Sequence, residues 1–340
     1  MTIITDQGEL SAIANGTLGR PIDQRGFKLR IDGFGGKRFD ATIFTPRDLE
    51  FRDQAVMEQE YAPLQGGELT PFDTSVPGWY KTISGKSGTA SGQPVLVQAS
   101  TSQIPNVDLG ISETDWNFRK YAIGATWTQD ELMASAAMGL PLDTSSATAA
   151  VQALLTQINT IIFDGNTVAG LKGYFDDSKV PRTEAQVGFN SNFTTLAILG
   201  ALQDLVNQPN EDTNNVENVN RLALSSRAYR YVSETPMSVD NGNSILNQFL
   251  DNNTFVTNIS QVFRMPKLNN VTAGGGLGET ATAYNFDPSK VRTNIVNPTP
   301  AGGIVQVGFK FVQLYSCNVS EVQFRRPKSA RILFNTNRTP

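Results

Sequence analysis

A helix-forming segment without charge constrains this 340-residue chain most strongly. In LDTSSATAAVQALLTQINTIIFDGN (142–166) apolar residues recur every three or four positions, which predicts an amphipathic helix over about 143–163. No Lys, Arg, Asp or Glu occurs from Ala147 to Phe163. One face should lie on the core through Val151, Leu154, Ile158, Ile161 and Ile162. The other face is small and neutral, with Thr148, Gln152, Thr156, Asn159 and Thr160. Since solvent would tolerate Lys or Glu at these positions, the pattern indicates a face close to neighbouring copies or to packed loops, where an unpaired charge is costly.

Neutral polar residues replace charged ones throughout the chain. Lys, Arg, Asp and Glu make up 18% of the residues, against about 25% in a typical soluble domain. The net charge of −4 argues against a polybasic nucleic-acid binder. The length allows one large domain or two ordinary ones.

Two residue types limit the chemistry. The chain has no histidine, which excludes Ser-His-Asp and Cys-His nucleophiles and metal sites that need imidazole. Its one cysteine, Cys317, excludes an intrachain disulfide and a zinc cluster, and its apolar surroundings predict a buried, inert thiol. The sequence has no secretory segment and no run of about 18 apolar residues. We therefore expect a chain made in a cytoplasm that does not bind a membrane.

The clearest local pattern precedes the uncharged helix. YAIGATW (121–127) alternates, which predicts a strand with one face formed by Tyr121, Ile123, Ala125 and Trp127. Thr128 and Glu131 then form a predicted capping box for a short helix that Gly139 ends.

The remaining segments predict separate groups of strands and helices, and hence an α+β fold. Residues 1–40 are typical of an extended arm, and 46–60 of a charged helix. Residues 66–110 predict a hairpin with its tip at SGKSGTASG (84–92), too poor in apolar residues to be stable alone. Downstream we expect a helix over 194–206, a polar loop over 208–220, strands over 221–226 and 255–265, a glycine loop over 271–280, and a β-rich end.

No motif predicts a catalytic, cofactor-binding or metal-binding residue. SGKS (84–87) lacks the first glycine of a phosphate loop, since Tyr80 stands there, and no helix start follows. Glycines 274–276 and 278 do not match the dinucleotide-binding pattern and are typical of a loop. The acid pairs Asp130/Glu131, Asp176/Asp177 and Glu211/Asp212 have no convergent partner.

The C-terminal run FRRPKSARILFNTNRTP (324–340) contains five basic residues and no acid. It could face packed nucleic acid, the carboxylates of a neighbour, or solvent.

The stretch from Tyr121 to Val180 resembles the major capsid proteins of tailed bacteriophages with the Hong Kong 97-like fold, and more narrowly the encapsulin-like major capsid family. The matching motifs are YAIGATWTQDELMASAAMGLPLDTSSATAA, the uncharged helix after it, and FDGNTVAGLKGYFDDSKV. In that family a strand and a capped short helix lead through Gly-x-Pro into a long spine helix, and a GLxG turn follows.

The resemblance implies a layout in five segments. Residues 1–65 would be an N-terminal arm with its helix, and 66–112 an extended loop lying over a neighbouring subunit. Residues 113–217 and 311–340 would form a peripheral domain containing the spine helix, and 218–310 an axial domain. Some relatives cross-link a loop lysine to a neighbour's asparagine; Lys81 and Lys86 are available here, but nothing marks their partner.

The expected function is structural and not enzymatic. Copies of the chain, as pentamers and hexamers, would form an icosahedral shell around double-stranded phage DNA, assembled in the host cytoplasm and residing in the virion. Further expected partners are a portal protein and scaffolding or decoration proteins. The alternatives are an encapsulin-type compartment for protein cargo, a tail-tube or fibre subunit, and a nucleotide-binding enzyme that uses the glycine loops.

Overall fold

The structure, a computed structural model, describes residues 61–96, 106–138, 142–238 and 242–338. The predicted arm (1–40), the predicted charged helix (46–60) and the predicted stop at Gly139 lie outside the described residues. The two strands of the hairpin, the uncharged helix and most of segments 218–310 and 311–340 are described.

Among the described residues the α-helices are α1 (Gly66–Leu69), α2 (Gln129–Met138), α3 (Leu142–Asp164), α4 (Thr195–Glu211), α5 (Ser226–Glu234), α6 (Ile245–Asn252) and the one-turn α7 (Ala273–Gly276). The strands are β1 (Phe72–Asp73), β2 (Thr82–Ser91), β3 (Asp108–Thr128), β4 (Arg182–Glu184), β5 (Arg221–Ser225), β6 (Val262–Met265), β7 (Thr280–Tyr284), β8 (Val291–Pro300), β9 (Val305–Val307), β10 (Lys310–Ser320), β11 (Gln323–Phe324) and β12 (Ala330–Phe334).

The strands form two sheets. The larger sheet has the order β1-β8-β10-β3-β2, with β9 paired to β10 and β11 paired to β8. The smaller sheet has the order β4-β12-β7-β5-β6. Helices α4 to α6 pack on one face of the smaller sheet around a second core. The α+β class is confirmed.

Two strands belong to sheets that the predicted segments do not suggest. Strand β8, inside predicted segment 218–310, pairs with β10 in the larger sheet. Strand β12, inside predicted segment 311–340, lies between β4 and β7 in the smaller sheet. Periodicity along one segment indicates its conformation but not its distant pairing partner. The division into peripheral and axial domains stays a prediction.

Helix α3 is the central element of the larger core. Its predicted core face is confirmed: Leu154, Ile158, Ile161 and Ile162 are buried, and Val151 is half-buried. This face packs against β3, β8 and β10. By length and composition, α3 is also the one helix in the described part that could cross a membrane. Here its apolar stripe is covered by the chain's own sheet.

Strand β3 is much longer than the seven residues that alternate in the sequence. Its second half pairs with β10, from Phe118 opposite Ser320 to Thr128 opposite Lys310. On the predicted face, Ala125 and Trp127 are buried, whereas Ile123 is exposed. The capping box that follows is confirmed, since Thr128 N donates to Glu131 Oε2 at 2.8 Å and Glu131 N to Thr128 Oγ1 at 3.2 Å.

Two predicted boundaries are wrong for physical reasons. Helix α4 continues through Pro209 to Glu211, into the predicted loop 208–220, because Leu205, Val206 and Pro209 are buried in the second core. Within 255–265 only β6 is a strand. Upstream of it, Asn258 and Gln261 form a capping box around a 3₁₀ turn, so side chains compete with the sheet for backbone groups.

An ion cluster around the buried Glu217 ties the loop after α4 to the residue before β8. The Glu217 carboxylate lies 2.8 Å from Lys290 Nζ and 2.8 Å from Arg326 Nη1. Burial raises the pKa of Glu217, but the hydrogen bonds and charges of Lys290 and Arg326 outweigh it, so the pKa lies below its ordinary value of 4.5. The cluster therefore favours a charged Glu217 in the folded state.

We predict a measurable acid dependence from this cluster. A carboxyl whose pKa is lowered by folding stabilises the fold above its unfolded-state pKa, and this stability is lost as pH falls through the folded-state pKa. Glu217→Gln should lower the unfolding free energy at pH 7 by at least about 1 kcal/mol. The difference from the native chain should shrink below about pH 4.5, as measured by urea unfolding at several pH values. The exposed control Glu113→Gln should show neither effect; a pH-independent difference for Glu217→Gln would contradict the assignment.

Candidate assembly surfaces

A two-stranded ribbon projects from the larger sheet. Strand β2 pairs with the first half of β3, from Thr82 opposite Asn117 to Ser91 opposite Asp108. Nearly all of its side chains are exposed on both faces. An isolated two-stranded ribbon is marginally stable in water, so this one needs a covering surface.

The predicted hairpin exists, but its predicted tip is wrong. SGKSGTASG was expected to form the turn, whereas Ser84–Ser91 lies inside β2, paired with Asp108–Asp115 of β3. The reason lies at Gly85. A β-carbon there would come within 2.4 Å of the Trp116 ring, so the glycine leaves room for a cross-strand aromatic side chain. Small residues mark close approach here and not a turn.

One face of the ribbon carries an uncovered apolar pair. Leu109 and Ile111 are 72% and 76% exposed. Two residues apart on one strand, they share a face. Their cross-strand partners are Ala90 and Gly88, which are too small to cover them. This pair, called here the ribbon patch, is the type of apolar surface that a partner buries.

Polar side chains hold the base of the ribbon where β3 leaves β10. Glu321 Oε1 accepts from Asn117 N at 2.6 Å, and Glu321 N donates to Asn117 O at 3.1 Å. Arg119 donates to Lys81 O at 3.3 Å, to Ala169 O at 3.3 Å and to Asn117 Oδ1 at 3.1 Å. Burial raises the pKa of Glu321, against the opposing hydrogen bond from Asn117. The ribbon therefore leaves the body at a fixed point.

The outer face of α3 is a second uncharged surface. Thr148, Ala149, Ala153 and Thr156 are exposed, and all four have small uncharged side chains. The Thr156 hydroxyl donates to Gln152 O at 2.9 Å, so its polar group is satisfied within the helix. These residues confirm a neutral, exposed face within the subunit.

Asn159 does not belong to that face. Its side chain is buried, and its Oδ1 accepts from Gly66 N at 2.8 Å. Of the two predicted surroundings, a neighbouring copy or a packed loop, Asn159 therefore contacts a segment of its own chain. The residue satisfies the first turn of α1, and helical spacing alone could not distinguish these two roles.

Two further groups of exposed large apolar residues lie close together in sequence. Ile304, Val305, Val307 and Phe309 are exposed around the β9–β10 turn. Trp79 and Tyr80 are exposed just before β2, with ring centroids 5.9 Å apart. Aromatic and apolar anchors of this kind are enriched at the centres of protein interfaces.

The sequence motifs considered as candidate catalytic or binding sites have structural roles. Ser84–Ser87 lies in a strand, not before a helix. Gly274 has a positive φ of 65°, and a side chain there would collide with Arg182. Asp212 pairs with Arg331 at 2.7 Å. Within the described residues, no group of three His, Cys, Asp or Glu side chains could hold a metal ion.

The structure also places Cys317 and the two hairpin lysines, Lys81 and Lys86. Cys317 is buried, as predicted, and burial raises the pKa of its thiol to about 11, which suppresses the reactive thiolate. Lys86 lies in β2 directly opposite Glu113, and Lys81 precedes β2 at the base of the ribbon.

Comparisons with known proteins identify the fold and the family. A family model described as "Major capsid protein" matches residues 92–333. The capsid of Myoviridae phage XM1 superposes with a TM-score of 0.73 at 17% identity, over 86% of this chain and 99% of that chain. A chain of Gordonia phage Cozz gives 0.56 at 12% identity (91% and 99%). The capsid of a native GTA particle gives 0.57 at 9% identity (85% and 96%). No curated protein matches by sequence.

The fold and its uncovered surfaces define a shell-forming subunit with the Hong Kong 97-like fold. The chain belongs to the major capsid protein family of tailed bacteriophages. Copies of such a chain build the icosahedral capsid of the virion. The resemblance of 121–180 is thus confirmed, and the family is structural. An encapsulin-type compartment is not favoured.

We predict that the ribbon patch acts in assembly and not in folding. Leu109→Ser combined with Ile111→Ser removes exposed apolar surface, so native circular dichroism and thermal unfolding of the free subunit should be unchanged. Shell yield, measured by sedimentation and negative stain, should fall several-fold. Ser87→Ala with Ser112→Ala, a cross-strand pair of the same ribbon, is the control. Full shell yield from the double-serine chain would remove the patch from assembly.

We predict that the outer face of α3 also acts in assembly and not in folding. Ala149→Glu with Thr156→Glu places two charges on exposed positions; the subunit should fold, and assembly should fail, because an interface penalises unpaired charge. Ala149→Ser with Thr156→Ser is the neutral control. Leu154→Ala, on the buried face, should instead cost about 2–5 kcal/mol of folding stability. Normal shells from the double-glutamate chain would mean that this face stays in solvent.

Proposed function

We propose that this chain forms the capsid through pentamers and hexamers, and that the shell encloses double-stranded DNA. The observation that supports this most directly is the ribbon, because it exposes apolar residues on a body that is otherwise well packed. A surface that cannot be satisfied within one subunit requires a second one. In a closed shell each contact can be weak, because many act together.

The layout of the subunit is part of this proposal. Residues 1–65 serve as an arm. Of the expected loop 66–112, strand β2 and the first half of β3 lie over a neighbouring copy, whereas α1 and β1 stay in the body of the subunit. A peripheral domain contains the larger sheet and α3. An axial domain contains the smaller sheet and α4 to α6. Strand β8 pairs in the larger sheet and β12 pairs in the smaller sheet. We therefore place β8 in the peripheral domain and β12 in the axial domain.

Other partners follow from the same role. A portal protein provides the DNA entrance, and scaffolding or decoration proteins guide or reinforce the shell. The chain acts as a structural protein without catalysis, cofactor or metal. This agrees with a fold whose motifs have structural roles, and Lys81 and Lys86 need form no covalent cross-link.

Electron microscopy of the purified full-length chain tests the proposal. Negative stain should show closed spheres with five-fold and six-fold clusters of subunits. Shells isolated from infected cells should contain nuclease-protected double-stranded DNA. Tubes would instead identify a tail-type subunit. Spheres that enclose protein and no nucleic acid would identify a compartment of the encapsulin type.

A further inference from the structure

A basic surface forms where the end of the chain crosses from the larger sheet to the smaller one. Arg325 N and Arg326 N donate to Lys290 O at 2.9 and 3.3 Å, which brings the end of β11 beside the start of β8. The surface, called here the crossover patch, consists of Lys290, Arg292, Arg325, Arg326, Lys328 and Arg331.

The acids within reach do not neutralise this patch. Glu217 is shared by Lys290 and Arg326, while Arg292 pairs with Asp73 at 2.9 Å and Arg331 with Asp212 at 2.7 Å. With Asp287, which lies near Lys290, four acids face six basic residues. This local surplus contrasts with the net charge of −4 of the whole chain.

Two cations of the patch stay free. Arg325 and Lys328 are exposed and form no ion pair with the described residues. Lys328 lies on a short 3₁₀ turn, Pro327–Ser329, where Ser329 N and the Ser329 hydroxyl both donate to Arg326 O. Lys328 and Arg331 line a recess of about 250 Å³ together with Pro181, Pro209, Asp212 and Ala330. Lys328 thus stands on a hydrogen-bonded turn beside a concave surface.

The positive charges within the crossover patch lie close enough to affect one another. Burial and the neighbouring charge of Arg325 lower the pKa of Arg292, and the Asp73 carboxylate only partly opposes them. An anion bound at the patch would relieve this repulsion.

We propose that the crossover patch binds the phosphate backbone of the enclosed double-stranded DNA, without reading its sequence. This rests on the proposed function, which supplies the DNA. Exposed Lys and Arg bind phosphates and release the counterions condensed on DNA. The carboxylates of another copy are the less favoured partner. Protein interfaces are built on apolar and aromatic anchors, whereas the apolar residues that adjoin the patch in sequence, such as Val291, Phe324 and Ile332, are buried.

Salt dependence of DNA binding by the full-length chain tests the proposal. The variant is Arg325→Gln with Lys328→Gln. The matched control, Lys172→Gln with Lys179→Gln, removes the same charge from two exposed lysines elsewhere. Anisotropy of a labelled 30-base-pair duplex of mixed sequence is recorded from low to moderate NaCl concentrations. Because each phosphate contact contributes about 0.9 to the slope of log K against log salt, the patch variant should lose about 1.8 from its slope. The control should keep the native slope.

Shell formation by each variant is scored separately in negative stain. Normal shells with a reduced slope support the DNA contact. Equal slopes for the two variants overturn it, as does a native chain that does not bind the duplex at low salt. Unchanged DNA binding with failed assembly would assign the patch to a neighbour's carboxylates and overturn the proposal. Failure of the native chain itself to form shells would instead refute the proposed function.

Discussion

The continuity of strand β3 is the constraint on which the rest of the structure depends. At about 3.3 Å per residue, its 21 residues extend for roughly 70 Å. One half is held by β10 and covered by α3; the other half forms the ribbon with β2. Because the two halves are one strand, the packing of the core determines where the ribbon leaves the body. Core stability and assembly geometry are therefore mechanically linked, although different residues serve each.

A second link is the short segment before the ribbon, residues 65–73, which touches both sheets. Glu68 O accepts from Arg221 Nη1 at 3.1 Å and from Tyr284 Oη at 2.7 Å, both in the smaller sheet. In the same segment β1 pairs with β8 of the larger sheet, and Gly66 N is held by Asn159 of α3. This segment connects residues 1–60 to the ribbon, and it is itself fixed by buried polar contacts that cannot be exchanged for water without cost.

The sequence was informative where structure is local. The capping box of Thr128 and Glu131, the extent of α3 and the buried Cys317 could all be predicted, because each depends on residues a few positions apart. The ribbon register could not, since the role of Gly85 depends on Trp116, 31 residues away. The same holds for Asn159, whose partner Gly66 lies 93 residues away. The absence of charge in the sequence predicted the assembly surface on α3. The exposure of Leu109 and Ile111 could not be predicted, because it depends on their small cross-strand partners.

Neutral surfaces suit a subunit that must remain separate before it joins a shell. A strongly apolar face would aggregate, and a charged face would oppose burial. Threonine and alanine on α3 avoid both extremes. The Thr156 hydroxyl donates to Gln152 O, so a partner that covers Thr156 leaves no polar group without a hydrogen bond. The apolar ribbon patch is by contrast confined to two residues. Each contact is then weak in a single pair of subunits, and it becomes decisive when closure of the shell engages all contacts together. This explains how a chain can leave a helix of about six turns almost without charge and still fold as a discrete subunit.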